Sequence, residues 1–352
     1  MLLGVDHVRA ALSQAWPPFV LVAGLLLIGQ LAGADGLFDA AASRLVRVGA
    51  SPLRTVLACL GLVALVTALL NLDTAAVFLT PVLVGVGRRR GLDDAPLLYG
   101  SVFMANASSL FLPGSNLTNL LVLSTRHGSG GSFFVHMLPA AGAATVATAA
   151  GLVAIHRRAL RRSAPAPVEP TLPLKRGAGL LGAAGAAVAM VLLANPALPV
   201  LALAVVLVLW RARRGGFSLT AALRALGVPA LAGLFVLSVA LGVAARAGVL
   251  PVERLDSAGP AATAAVAAGA SVLINNLPAA VLLSSGGHLN SRWLLIGLNV
   301  GPNLAVTGSL AVLLWWRAAR QADASPSALD YSRQGLLLAP LAIAAALLAA
   351  AA

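Results

Sequence analysis

Too many apolar runs follow one another in this chain, several of them too short to cross a bilayer alone, for it to fold as anything but a membrane bundle with interrupted helices. A crossing helix needs roughly 20 apolar residues. Runs at about 17–34, 53–71, 133–155, 177–194, 227–245 and 334–352 come near that length. The run 95–112 is as long as 17–34 but is paired with the short 117–124; those at 74–87, 196–210, 258–274, 277–285, 292–301 and 304–316 are shorter too, and most sit in adjacent pairs broken by Asn, Asp, Pro or Gly. Charge agrees: 10% of the residues are charged and 59% are hydrophobic, against about 25% charged in soluble domains. The formal charge of +13 would suggest nucleic acid in a soluble protein. Here the basic residues cluster between apolar runs and read as topology signals, so no nucleic-acid partner is expected. The partner is the lipid bilayer, and the expected location is the inner (plasma) membrane, with multiple passes.

Arginine placement gives a path. Arg44, Arg47 and Arg54 precede the broken pair 53–87, and Arg88, Arg89 and Arg90 follow it, so both ends of that hairpin lie on one side. The broken run 95–124 then crosses, and 133–155 returns to a loop with Arg157, Arg158, Arg161, Arg162, Lys175 and Arg176. Runs 177–194 and 196–210 go out and back to Arg211, Arg213, Arg214 and Arg224. Helix 227–245 goes out, the hairpin 258–285 starts and ends outside, and the broken run 292–316 returns to Arg317, Arg320 and Arg333. Outside stand Arg9, Arg126, Arg246, Arg254 and Arg292, a minority of the 24 basic residues. That asymmetry favours the path, with 35–50 as a cytoplasmic amphipathic stretch and the first run a retained helix rather than a cleaved signal.

The Pro-rich segment within 163–176 divides the chain into an N-terminal half, 1–162, and a C-terminal half, 177–352. The halves echo each other. Leu69–Thr80 aligns without a gap on Leu273–Ser284, and Asn106–Leu117 aligns on Asn299–Leu310. Each half holds a hairpin (53–87, 258–285) followed by a broken crossing helix (95–124, 292–316), and the hairpins open from opposite sides. The expected fold is therefore an all-α polytopic protein of two inverted repeats, each with a re-entrant helical hairpin and a broken transmembrane helix. Broken backbone at membrane depth survives only where it is buried in protein or lines a cavity.

The breaks carry the candidate substrate- and ion-binding residues: Asn71, Asp73, Thr74, Asn106, Ser108, Ser115, Asn116 and Asn119, then Asn275, Asn276, Pro278, Asn299, Asn303, Thr307, Gly308 and Ser309. Apart from Asp73, the acidic residues fall in loops or near segment ends. A carboxylate at the bilayer centre costs at least ~2.5 kcal/mol, so Asp73 is the candidate for proton or cation coupling. It also suits a helix cap ahead of Thr74. Neutral Asn, Ser and Thr suit an uncharged hydroxylated solute, or an anion held by helix ends. His7, His127, His136, His156 and His288 are scattered and form no metal cluster. Cys59, the single cysteine, leaves no two-thiol site and reads as packing. There is no HExxH, P-loop or GxSxG. No cofactor, no metal site and no enzyme activity are expected.

Asn71-Leu72-Asp73-Thr74-Ala75-Ala76-Val77-Phe78-Leu79-Thr80-Pro81, Asn106-Ala107-Ser108-Ser109-Leu110 and Pro113-Gly114-Ser115-Asn116-Leu117-Thr118-Asn119 resemble the arsenite permease branch of the ion transporter superfamily, with its citrate-transporter-like relatives. Asn275-Asn276-Leu277-Pro278, Gly297-Leu298-Asn299-Val300-Gly301-Pro302-Asn303 and Thr307-Gly308-Ser309-Leu310 carry the same resemblance. It implies a secondary active transporter with a scaffold and a moving transport domain, often a homodimer, with hairpin tips and breaks facing the substrate. It implies proton-coupled efflux of arsenite or antimonite, or alternatively Na⁺- or H⁺-coupled uptake of an inorganic or carboxylate anion of the citrate and dicarboxylate type. A soluble ATPase subunit is a further partner to be considered.

Overall fold

The computed structural model describes residues 2–48, 51–123, 130–163, 177–193, 195–215, 217–248, 258–285 and 290–352. These residues form helices and connecting turns, with no strand among them. Hydrocarbon offers the backbone no partners, so each segment bonds internally. Among the described residues, five helices are long and apolar enough to cross a membrane.

The first half runs through α1 (Leu2–Ala34), α2 (Leu37–Val48), α3 (Pro52–Leu69), α4 (Leu72–Thr74), α5 (Thr80–Arg89), α6 (Asp94–Ser108), α7 (Leu117–Leu123) and α8 (Gly130–Arg162). The second runs through α9 (Ala178–Leu192), α10 (Ala197–Arg213), α11 (Leu219–Ala225), α12 (Val228–Arg246), α13 (Pro260–Ile274), α14 (Asn276–Ser285), α15 (Ser291–Val300), α16 (Leu310–Gln321) and α17 (Ala328–Ala351). A π-helical turn, Ala75–Leu79, joins α4 to α5.

Polar side chains set several of the helix starts. Ser51 accepts from the Arg54 N–H ahead of Pro52 at the first turn of α3, Asp93 accepts from Ala95 N–H, and Ser327 accepts from Asp330 N–H. Each such cap satisfies a donor that the helix leaves free.

The two hairpins and two broken helices appear where the apolar pairs place them. The first hairpin is α3 against the α4–α5 run, broken at Leu70-Asn71; the second is α13 against α14, broken at Asn275. The crossing helices break at Pro113–Ser115 and Gly301–Leu304, both short 3₁₀ turns followed by extended backbone. The packing is reciprocal. The α4–α5 arm lies against α16 of the other half, and α14 lies against α7. Each hairpin thus covers the far end of the opposite half's broken helix. Helices α8 and α17, which close the two halves, pack along each other, and α1 packs on α9, α10 and α12.

Two expectations are extended. The first helix begins at Leu2 rather than near Pro17, with Pro17 and Pro18 inside it, because Ala11, Gln14 and Ala15 are buried and anchor its first turns. The amphipathic stretch 35–50 is the helix α2, with Phe38, Ala40 and Ala42 buried and Arg44 exposed. Most of the linker 163–176, with Lys175 and Arg176, lies outside the described residues, as do Arg126, His127, Arg254 and His288.

Candidate functional site

Four helices begin around one narrow cavity. Asn71 caps α4, its side-chain oxygen accepting from Thr74 N–H at 2.7 Å. Asn116 precedes α7 and accepts from Thr118 N–H at 3.1 Å. Asn275 precedes α14 and accepts from Leu277 N–H at 3.3 Å. Ser309 precedes α16 and accepts from Val312 N–H at 3.4 Å. The cavity, about 10 Å³, is lined by Leu72, Asp73, Asn116, Asn276, Leu277, Ser309, Leu310 and Ala311. It has room for about one water. Helix starts expose N–H groups and the positive end of the dipole, so a cavity ringed by them favours negative charge.

The internal alignment pairs the lining across the halves. Asn116 matches Ser309, Leu72 matches Asn276, and Asp73 matches Leu277. In the last two pairs one half supplies the polar group and the other an aliphatic one. The wall is therefore chemically lopsided within a symmetric frame. Asp73 is 3% exposed, with no hydrogen bond or ion pair to any described residue. The side-chain nitrogen of Asn71 and the side-chain oxygen of Asn276 are buried without partners. Unmatched buried polar atoms are costly and point to an occupant that completes them.

Beneath the cavity lies a closed polar network. The Asn299 oxygen accepts from the Asn116 amide and from the Ser109 hydroxyl, each at 2.5 Å. The Asn299 amide donates to the Asn119 oxygen at 2.9 Å and to Leu295 C=O at 2.8 Å. Asn119 in turn donates to the Ser109 and Leu112 carbonyls that the break releases, at 2.7 and 3.0 Å. This network fixes Asn116 at the cavity wall.

The sequence candidates therefore divide. Asp73, Asn116, Asn276 and Ser309 line the cavity, with Asn299 and Asn119 behind them. Thr74 donates to Leu25 C=O at 3.4 Å, and Pro278 is buried in the first turn of α14. Ser108 faces α8, 3.3 Å from the Thr145 hydroxyl, and is not among the cavity-lining residues. Ser115 bonds Ala68 C=O and Leu112 N–H and staples its own break. Asn106 and Asn303 bond each other at 2.8 Å, and neither is among the cavity-lining residues. Thr307 is exposed and donates to Val272 C=O at 2.9 Å; Gly308 accepts from Asn276 N–H. Neither is among the cavity-lining residues, although both adjoin Ser309 in sequence.

Three residues escaped the sequence reading. Tyr331 is buried and donates to Pro302 C=O at 3.0 Å, holding the second break. Gln14 donates to Leu121 C=O and the Ser284 hydroxyl and accepts from Arg246 and Ser285, tying α1 and α12 to α7 and α14. Thr118 lies 3.5 Å from the Asn299 oxygen.

The profile of the citrate transporter family CitMHS matches residues 2–301. The chain belongs to the CitMHS citrate transporter family. It is a multi-pass membrane protein of a transporter family. Two uncharacterized transporters of Mycobacterium tuberculosis are each 29% identical over 126 residues, 36% of this chain and 29% of theirs. The chain thus matches less than a third of the length of these curated relatives. The fold is similar to the crystal structure of the Alcanivorax borkumensis YdaH transporter, described as having an unusual topology. That likeness has a TM-score of 0.58 at 13% identity and covers 98% of this chain and 86% of the other. The family shown is that of citrate transporters, and the arsenite-permease resemblance is not carried further by these matches.

Proposed function

We propose that this CitMHS member carries a small carboxylate anion of the citrate type across the inner membrane, coupled to protons through Asp73. The observation that carries the reading is the convergence of four helix starts, capped by Asn71, Asn116, Asn275 and Ser309, on one cavity. Such a ring of N–H groups suits an anion without any Lys or Arg in the lining. Family membership supports the same choice.

Asp73 gives the coupling. Beside an incoming anion its carboxylate would repel the cargo, and a proton on Asp73 removes that repulsion. Binding of proton and anion would then favour each other, which is what coupled transport in one direction requires. The cavity holds only about one water, so the site must widen to admit a carboxylate. That widening belongs to the transport cycle.

Arsenite or antimonite efflux remains the other reading, because the neutral Asn and Ser lining also suits an uncharged hydroxylated solute. The test is uptake of labelled citrate by protein reconstituted in vesicles, with and without an imposed proton gradient, beside the same measurement with arsenite. Gradient-dependent citrate uptake supports the proposal. Arsenite movement without citrate movement by folded protein would overturn it. A Na⁺ requirement in place of the proton requirement would remove Asp73 as a proton carrier.

A further inference from the structure

The two matched breaks differ in their cover. In the first half, Leu70, Asn71, Leu72, Ser115 and Asn116 are all buried. Met190 of α9 lies so close to Gly114 that a Cβ there would collide with its thioether. In the second half the equivalent region is open. Leu273 is 83% exposed against 42% for its counterpart Leu69, Thr307 is exposed where its counterpart Gly114 is buried, and Ala305 and Val306 are half-buried.

Depth makes this exposure meaningful. Helix α13 has 15 residues and α14 has 10, about 22 and 15 Å at 1.5 Å per residue. Neither spans the roughly 30 Å hydrocarbon core. The tip at Asn275 and the irregular backbone at Ala305–Thr307 therefore sit inside the membrane. Non-helical backbone facing lipid at that depth is not tolerated. Water is the occupant the chemistry favours, because the open face carries a hydroxyl and an amide and adjoins the cavity wall directly.

A hydrogen-bonded seam separates the open face from the cavity. Asn276 N–H donates to Gly308 C=O at 2.9 Å, and the Asn275 side-chain amide donates to Thr307 C=O at 3.3 Å. Asn276 and Ser309, each one residue along, line the cavity. The seam is under strain: Asn275 has φ of 73°, a conformation few non-glycine residues adopt. Strained backbone of this kind gathers at switching sites.

We propose that this seam is the thin gate of the transport cavity, and that the open face at Thr307 is the mouth of a water-filled path. The path leads to the side opposite the two ends of the second hairpin, which the arginine pattern makes the cytoplasm. The inference rests on the transport reading. It adds which tip opens: the second hairpin parts from its own break, while the first tip stays sealed under Met190.

The single native cysteine makes the test direct. In a Cys59→Ala background, Thr307→Cys, Val306→Cys and Met190→Cys are each exposed to a membrane-impermeant thiol reagent in everted and right-side-out vesicles. The expected result is labelling of Thr307→Cys and Val306→Cys in everted vesicles, none of Met190→Cys, and loss of citrate uptake on labelling. Absence of labelling at both reporters in vesicles, with labelling after denaturation, would overturn the water path. So would a disulfide between the Thr307→Cys residues of two chains, which would place a second copy on this face. Citrate uptake by the unlabelled variants, or its absence, reports on the transport reading separately from the labelling.

Discussion

The side-chain amide of Asn106 in α6 donates to the side-chain oxygen of Asn303 at 2.8 Å, joining the first broken helix to the break of the second. The residues lie 197 positions apart in the chain, and the Asn303 amide reaches on to Phe103 C=O at 3.3 Å. This bond ties the two halves together through residues that do not line the cavity.

Asp73→Asn keeps the shape of the cavity wall and removes the titrating group. Gradient-driven uptake should be lost, while exchange of labelled for unlabelled citrate across the membrane, which needs no net proton movement, should persist. Measuring both on one preparation checks it. Unchanged gradient-driven uptake would end the coupling role of Asp73.

Asn299→Ala takes one partner from the Asn116 amide and one from the Ser109 hydroxyl, which keep the Ser109 hydroxyl and Asn106 C=O respectively, and leaves the Asn119 oxygen without its partner. Each unsatisfied buried group costs about 1–3 kcal/mol, so the variant should unfold at clearly lower temperature in detergent and lose uptake. A thermal melt unchanged from the parent would mean that the network is idle.

Arg211→Ala leaves Asp35 buried beside Gly179 N–H without its cation, since the pair sits at 3.0 Å with Asp35 only 4% exposed. The cost should be roughly 2–3 kcal/mol, below that of a fully buried pair because Arg211 is partly in contact with solvent. The double variant Asp35→Asn with Arg211→Ala should recover part of the loss. Thermal unfolding of the parent, Arg211→Ala, Asp35→Asn and the double variant gives the coupling between the two side chains.

Gly335→Ala should be poorly tolerated. A Cβ at Gly335 would run into the carbonyl oxygen of Asn303, which belongs to the backbone of the break and has little room to move. Helix α17 would be pushed off the break, and the Tyr331 bond to Pro302 C=O would go with it. Size-exclusion behaviour and uptake of the variant check this. Tyr331→Phe, which removes only that bond, should be milder.

Sequence alone determined a good deal. Apolar runs of fixed length must become helices in a medium that offers the backbone no partners, and the Asn, Pro and Gly interruptions mark where those helices stop. That is why both hairpins, both broken helices and Asp73 at a tip could be read before any coordinates, and why Asn116, Asn276 and Ser309 were among the candidates. The sequence could not say which candidates meet. Asn106, Asn303, Ser108 and Thr307 look like the cavity residues by composition and spacing, yet they turn to the interface between halves, to α8 and to the open face. Side-chain direction at a break follows from how the extended backbone leaves it, and that depends on the opposite half. Gln14 and Tyr331 gain their roles only when α1 and α17 pack beside the short helices. Tertiary structure alone decided that four helix starts share one cavity, because the reciprocal packing of each hairpin on the other half's broken helix is a contact between residues far apart in the chain.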